Sequence, residues 1–188
     1  EKVCGGGKQG GERAGAGVGG VGYGKGVGSG GSVIPCCVCC AKDNVLPITD
    51  EKMTRFMIAL EEGVELVGHA FADMHGGEIY VKKIPSMNIL DIARAVAPDA
   101  DTKIIGIRPG EKLHEQMVGI EDAPHTYEYD GYYKILPAIH GWSDDPTRIG
   151  DGKKVANDFS YASDSNTEWM SVDELRKWIA SNYAGGNS

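Results

Sequence analysis

Apolar residues recur every three or four positions along Phe56, Leu60, Val64, Val67, Phe71 and Met74, with Glu61, Glu62 and Asp73 off that line, so the spacing predicts an amphipathic helix. Arg55 stands at its entrance, where unpaired backbone N–H groups favour anions, so a cation there is a misfit unless it meets one. His75-Gly76-Gly77 ends the helix, and Glu78 to Ile84 predicts a strand with alternating faces. Pro85-Ser86 leads into a second helix from Met87 to about Val96, with Ile89, Ile92, Ala93 and Val96 as its buried stripe and Pro98 as its stop. Lys103 to Ile107 predicts a short buried strand, and Thr126–Asp130 and Tyr132–Leu136 flank Gly131 as a hairpin. Upstream, Ser32 to Pro35 and the cysteines after it lead through a short helix into Leu46-Pro47-Ile48-Thr49.

The polar run from Gly141 to Asp164 predicts a long surface connection, with Asp144 and Asp145 as solvated charges. A last helix starts at Ser171, where Ser171 and Glu174 make a capping box and Leu175, Trp178 and Ile179 supply the apolar face; Ala184 to Ser188 should fray. Strand and helix alternate, which predicts an α/β layer rather than a bundle or a sandwich.

The candidate chemistry lies where the Lys103–Ile107 strand ends, in Arg108-Pro109-Gly110-Glu111. A guanidinium offers a planar fork of donors suited to phosphate oxygens, Pro-Gly fixes a sharp turn, and a carboxylate three residues on accepts hydrogen bonds from vicinal hydroxyls. A nucleotide presents both groups. The competing interpretation makes Arg108 and Glu111 a solvated pair, with Glu111 opening a helix to Val118 whose acidic first turn is favourable.

Composition divides the 188 residues unevenly, since more than half of the 28 glycines precede Ser32. Residues 1 to about 22 hold too few apolar groups to offset the entropy of ordering and should be flexible. Gly15-Ala16-Gly17-Val18-Gly19-Gly20 matches the dinucleotide fingerprint literally, but it lacks the preceding strand and following helix that give the fingerprint meaning. The formal charge of -8 argues against nucleic acid or an anionic membrane surface as a partner, and no segment reads as a membrane helix or signal peptide, so the cytoplasm is expected.

Of the five cysteines, Cys36, Cys37, Cys39 and Cys40 sit together without a second ligand pair, so free thiols are expected rather than a zinc site. His69, His75, His114, His125 and His140 show no ligand spacing, and the chain carries no nucleophile elbow, zincin motif or phosphate loop. From its residues alone it is an anion-binding α/β unit without visible catalytic machinery.

Met53-Thr54-Arg55-Phe56, Gly76-Gly77-Glu78-Ile79-Tyr80-Val81 with Lys83-Ile84-Pro85-Ser86-Met87, and Ile105 through Glu115 together resemble the inverting UDP-N-acetylglucosamine 4,6-dehydratases, extended short-chain dehydrogenase/reductase enzymes of bacterial surface-polysaccharide and flagellin-sugar biosynthesis. The resemblance runs from about Tyr23 to Ile179 and continues in Gly152-Lys153-Lys154-Val155 and Ser171 to Arg176. It departs where the family has Tyr-Gly-Asn-Val-Val-Gly-Ser-Arg-Gly-Ser and this chain has Tyr23 to Ser32 with a different internal sequence, and where Cys36 and Cys37 replace two aromatics.

The resemblance implies the C-terminal, substrate-binding part of a Rossmann-like α/β fold whose N-terminal nucleotide-cofactor half is missing. Residues 1–22 would be a disordered glycine-rich segment, 23–183 the UDP-sugar-binding part and 184–188 a frayed tail. It implies Arg55 and Arg108 at the diphosphate, Glu111 at the ribose, and Ser32, Val33, Ile34 and Pro35 lining the nucleotide-sugar pocket. The family's NADP and its Tyr-x-x-x-Lys pair serve oxidation at C4, loss of water across C5 and C6, and hydride return at C6 with inversion at C5. No tyrosine here has a lysine four residues later, so this chain is expected to bind UDP-N-acetylglucosamine or a related UDP-sugar without catalytic residues of its own. Self-association is common in the family, which makes a homo-oligomer an expected arrangement. A UDP-sugar epimerase and a silent binding or assembly module are the alternatives.

Overall fold

The computed structural model describes residues 20–22, 45–139 and 141–183. The expectations for the glycine tract through residue 19, Ser32 to Pro35, the cysteine cluster and the short helix after it, His140 and the frayed tail lie outside the described residues.

In chain order the elements begin with strands β1 (Gly20–Gly22), β2 (Val45–Ile48) and β3 (Thr54–Phe56), helix α1 (Leu60–Asp73), strands β4 (Ile79–Lys82) and β5 (Ser86–Asn88), helix α2 (Ile89–Val96) and strand β6 (Asp101–Ile104). They continue with β7 (Gln116–Val118), β8 (Thr126–Tyr129), β9 (Tyr132–Ile135), a one-turn helix α3 (Pro146–Ile149), β10 (Lys153–Lys154), β11 (Tyr161–Ala162) and helix α4 (Val172–Tyr183). The chain divides into two compact units, each assembled from three stretches of sequence.

The first unit, residues 1–23, 59–83 and 116–161, holds a five-stranded sheet in the order β1-β4-β9-β8-β10. Gly20–Gly22, the end of the glycine-rich opening, lies parallel to β4, so backbone pairing organises three residues of which Val21 alone brings an apolar side chain. The β8–β9 hairpin is as expected: Tyr129 pairs with Tyr132 across Asp130-Gly131, and Gly131 takes the left-handed φ of +77° that such a tight turn requires. Tyr80 on β4 packs with Leu66 and Ala70 of α1, with Val21, Met74 and Tyr132 around them. Tyr80 and Val81 are both buried, so β4 is covered on both faces rather than alternating.

The phase of α1 differs from expectation. Leu66 and Ala70 face the sheet, while Phe71 is 76% and Val64 63% exposed. Leu66 and Val64 are two residues apart, about 200° around a helix, so the sequence carries two apolar stripes on opposite faces. Gly63, Leu66 and Ala70 make the buried stripe, in which Leu66 is flanked by two small residues.

The second unit, residues 24–58, 84–115 and 162–188, pairs β2 with β6 in parallel and β3 with β5 antiparallel. Its core joins Leu46 and Ile48 of β2, Met53, Met57 and Met87, Ile92 and Ala93 of α2, and Leu175 of α4. The α2 helix starts two residues later than the periodicity suggests, because Met87 belongs to β5 and Asn88 caps the helix with Oδ1 accepting from the Leu90 N–H at 2.8 Å. The C-terminal helix matches expectation, with the Glu174 carboxylate accepting from Ser171 N–H at 2.8 Å and Trp178 and Ile179 packed on the core. Residues 101–110 are all exposed, so the expected buried strand is corrected: β6 has β2 as its partner strand and no layer of described residues covers it.

Candidate functional site

Arg55 is not at a helix entrance. It sits in the middle of β3, opposite Met87 of β5, and its side chain is largely buried. The segment from Arg108 to Glu115 forms no helix; Glu111 N–H donates to Arg108 C=O at 3.0 Å, closing the Pro109-Gly110 turn, with Gly110 at a φ of +81°. Beyond the turn the chain lies along β3, where Thr54 N–H donates to Leu113 C=O at 3.1 Å and Phe56 N–H donates to Glu115 Oε2 at 3.1 Å.

This brings Arg55 to Glu111. Its Nη1 donates to the carbonyls of Thr54 at 2.7 Å and Leu113 at 3.1 Å, which fixes the guanidinium plane. The Nη2 and Nε edge faces Glu111 Oε1 at 3.7 Å and Glu115 Oε1 at 4.0 Å, attraction at charge-pair range but longer than a hydrogen bond. Two donors are thus committed to backbone and the other edge is held in place without a hydrogen bond among the described residues. Glu111 also accepts weakly from the Arg108 N–H at 3.3 Å and Thr49 Oγ1 at 3.5 Å. The Arg108 guanidinium is exposed and meets no partner among the described residues.

Beneath the arginine runs a polar chain that the sequence reading missed. Thr54 Oγ1 lies 2.8 Å from His114 Nδ1 and 2.7 Å from Ser163 Oγ, which accepts from the Glu115 N–H at 2.9 Å. Ser163 falls in the stretch assigned to a surface connection and nonetheless is fully buried. The cue that could have found Thr54 is its place beside Arg55 in a strand; nothing local marks Ser163. Of the remaining expectations, Asp144 pairs with Lys154 at the surface, and Asp145 instead caps α3, accepting from Thr147 N–H at 2.9 Å. His69 lies against the Tyr132 ring, and the described residues hold no cluster of three or more metal-type ligands.

The described residues form an α/β protein in which an arginine on β3 faces two carboxylates of the segment after β6. A model of the family described as polysaccharide biosynthesis protein matches residues 3–137. The chain is 49% identical, over 84% of its length, to a Campylobacter jejuni protein named UDP-N-acetylglucosamine 4,6-dehydratase (inverting), and 34% identical over 84% to a Rickettsia conorii protein named UDP-glucose 4-epimerase. The X-ray structure of Pen from Bacillus thuringiensis superposes with a TM-score of 0.74 at 27% identity, covering 87% of this chain and 49% of that one.

The chain belongs to the polysaccharide biosynthesis protein family. It spans about half the length of the curated relatives it matches: 49% of the Campylobacter protein and 47% of the Rickettsia protein. No helix among the described residues is long and apolar enough to cross a membrane.

Proposed function

We propose that residues 23–183 are the UDP-sugar-binding part of an inverting UDP-N-acetylglucosamine 4,6-dehydratase, with Arg55 and Arg108 as diphosphate contacts, Glu111 as the ribose contact, and Ser32 to Pro35 as pocket lining. The observation that carries this is the 3.7 Å approach of Arg55 to Glu111, which puts an uncommitted guanidinium edge beside a loosely held carboxylate. The edge suits two phosphate oxygens, and Glu111, whose side-chain contacts are all 3.3 Å or longer, exchanges them readily for hydroxyls. The identity to relatives of that name supports the choice of sugar.

The described residues do not fit NADP. They include no Tyr-x-x-x-Lys pair, and no strand among them passes through a glycine-rich turn into a helix. We therefore assign this chain binding and derive no hydride step from it; the cofactor and the reaction belong to the whole enzyme, in the bacterial cytoplasm. The second reading, a UDP-sugar epimerase, rests on the Rickettsia relatives.

Thermal unfolding with UDP-N-acetylglucosamine at about a hundred times its dissociation constant should show about 2.7 kcal/mol of added stability. Arg55→Ala and Arg108→Ala should each remove most of that gain. A transition that does not move with ligand contradicts the reading, and a gain with UDP-glucose alone favours the epimerase.

A further inference from the structure

The Thr54, Ser163 and His114 chain has a hydrogen count that admits one fully satisfied arrangement. Thr54 is 5% and Ser163 0% exposed, so water is a poor source of missing partners. Ser163 Oγ already accepts from the Glu115 N–H, and each hydroxyl has a single hydrogen to donate. If Ser163 donates to Thr54 and Thr54 donates to His114 Nδ1, both hydroxyl hydrogens have an acceptor. The reverse order needs a hydrogen on Nδ1, turns Thr54 toward Ser163, and strands the Ser163 hydrogen in the core with no acceptor among the described residues. A buried donor left unmade is the more expensive outcome.

We propose that Ser163 and Thr54 form an ordered hydroxyl relay that holds His114 as the tautomer with a bare Nδ1 and a hydrogen on Nε2, and that through it they are positioning residues for the Arg55 and Glu111 site. The inference rests on the binding site proposed above. The relay grips the middle of the segment whose flanking residues meet β3: Leu113 C=O takes the Thr54 N–H and Arg55 Nη1, and the Glu115 carboxylate takes the Phe56 N–H while its backbone C=O accepts from Ser163 N–H and its N–H donates to Ser163 Oγ. With the imidazole anchored, Glu111 is held at its distance from Arg55; with it released, the segment has one fewer tether to the strand that carries the arginine.

The test uses the full chain labelled with nitrogen-15 at about pH 8, well above the ordinary imidazole pKa. Long-range proton–nitrogen spectra should show Nδ1 of His114 as an unprotonated ring nitrogen and Nε2 as a protonated one. Thr54→Ser keeps the hydroxyl and should keep that pattern, with UDP affinity within about twofold of the parent. Thr54→Val removes the link to the ring and should average the two nitrogen signals and weaken UDP binding about tenfold, whereas Ser163→Ala leaves Nδ1 as the one acceptor for the Thr54 hydroxyl and should keep the parent tautomer. A protonated Nδ1 in the parent, a tautomer indifferent to Thr54→Val, or unchanged UDP affinity in Thr54→Val overturns the proposal. A parent that binds no UDP overturns the site and its positioning residues together, while the tautomer spectrum still decides whether the relay exists.

Discussion

Glu78, 1% exposed, has Arg148 as its cation among the described residues. Arg148 Nη1 donates to its carboxylate at 2.6 Å and to Gly76 C=O at 3.0 Å, and the guanidinium lies over the Trp142 ring at 4.0 Å. The backbone N–H groups of His75 and Gly76 donate to the same carboxylate. Arg148→Ala leaves a buried charge without its partner, and urea unfolding should register a loss of about 3–5 kcal/mol. Arg148→Lys should recover only part of that, because an ammonium cannot reproduce the fork or the stacking. A loss inside the range of an ordinary surface change would show that the pair is not buried as described. None of this was legible from sequence: the partners are 70 residues apart, and both look like ordinary surface charges in a polar context.

At the scale of elements, the helix α1 and the central sheet separate what periodicity can and cannot resolve. Leu66→Ala should cost about 2–5 kcal/mol in equilibrium unfolding, whereas Phe71→Ser should stay within about 0.5 kcal/mol. The opposite ranking would restore the phase first read from Phe56, Leu60, Val64, Val67 and Phe71. The hairpin needed no such correction, since Asp130-Gly131 between two tyrosine-rich runs is a local signal with a local cause.

That sheet also makes an alkaline prediction. Burial, followed by the hydrogen bond to Asp73, pushes the Tyr80 phenol far above its ordinary 10.0, and burial, followed by neighbouring acidic groups, does the same for Tyr129 and lifts Tyr132 to about 12. A folded-state pKa above the unfolded one gives stability that is complete below the unfolded value and declines as pH rises past it. Stability should therefore fall from about pH 10 upward. Phenolate absorbance should show some tyrosines ionising only as circular dichroism is lost; smooth titration of all eight in a folded chain would contradict the packing.

At the scale of the whole molecule, the proposed site and the buried tyrosine cluster fall in different units. The arginine and carboxylate site lies within the second unit, and the Tyr80, Asp73 and Lys134 cluster within the first. Hydrogen exchange with and without UDP should show protection at residues 49–56 and 108–115; protection confined to residues of the first unit would relocate the site. Val64 and Phe71 on one unit, and Ile104, Ile105 and Ile107 on the other, leave large apolar side chains exposed. Sedimentation should accordingly show concentration-dependent association that Phe71→Lys with Ile105→Lys reduces, and a monodisperse monomer at high concentration would contradict it.

The sequence by itself determined the α/β class, the hairpin at Gly131, the capped helix from Ser171 and the turn at Pro109-Gly110, because turns, caps and short motifs are written in neighbouring residues. Tertiary structure alone decided which stripe of α1 is buried, that β6 stays exposed, that Arg55 lies in a strand facing Glu111, and that Ser163 reaches Thr54 and through it His114. Those outcomes depend on partners brought in from distant stretches of chain, and periodicity in one segment carries no information about what the fold will lay against it.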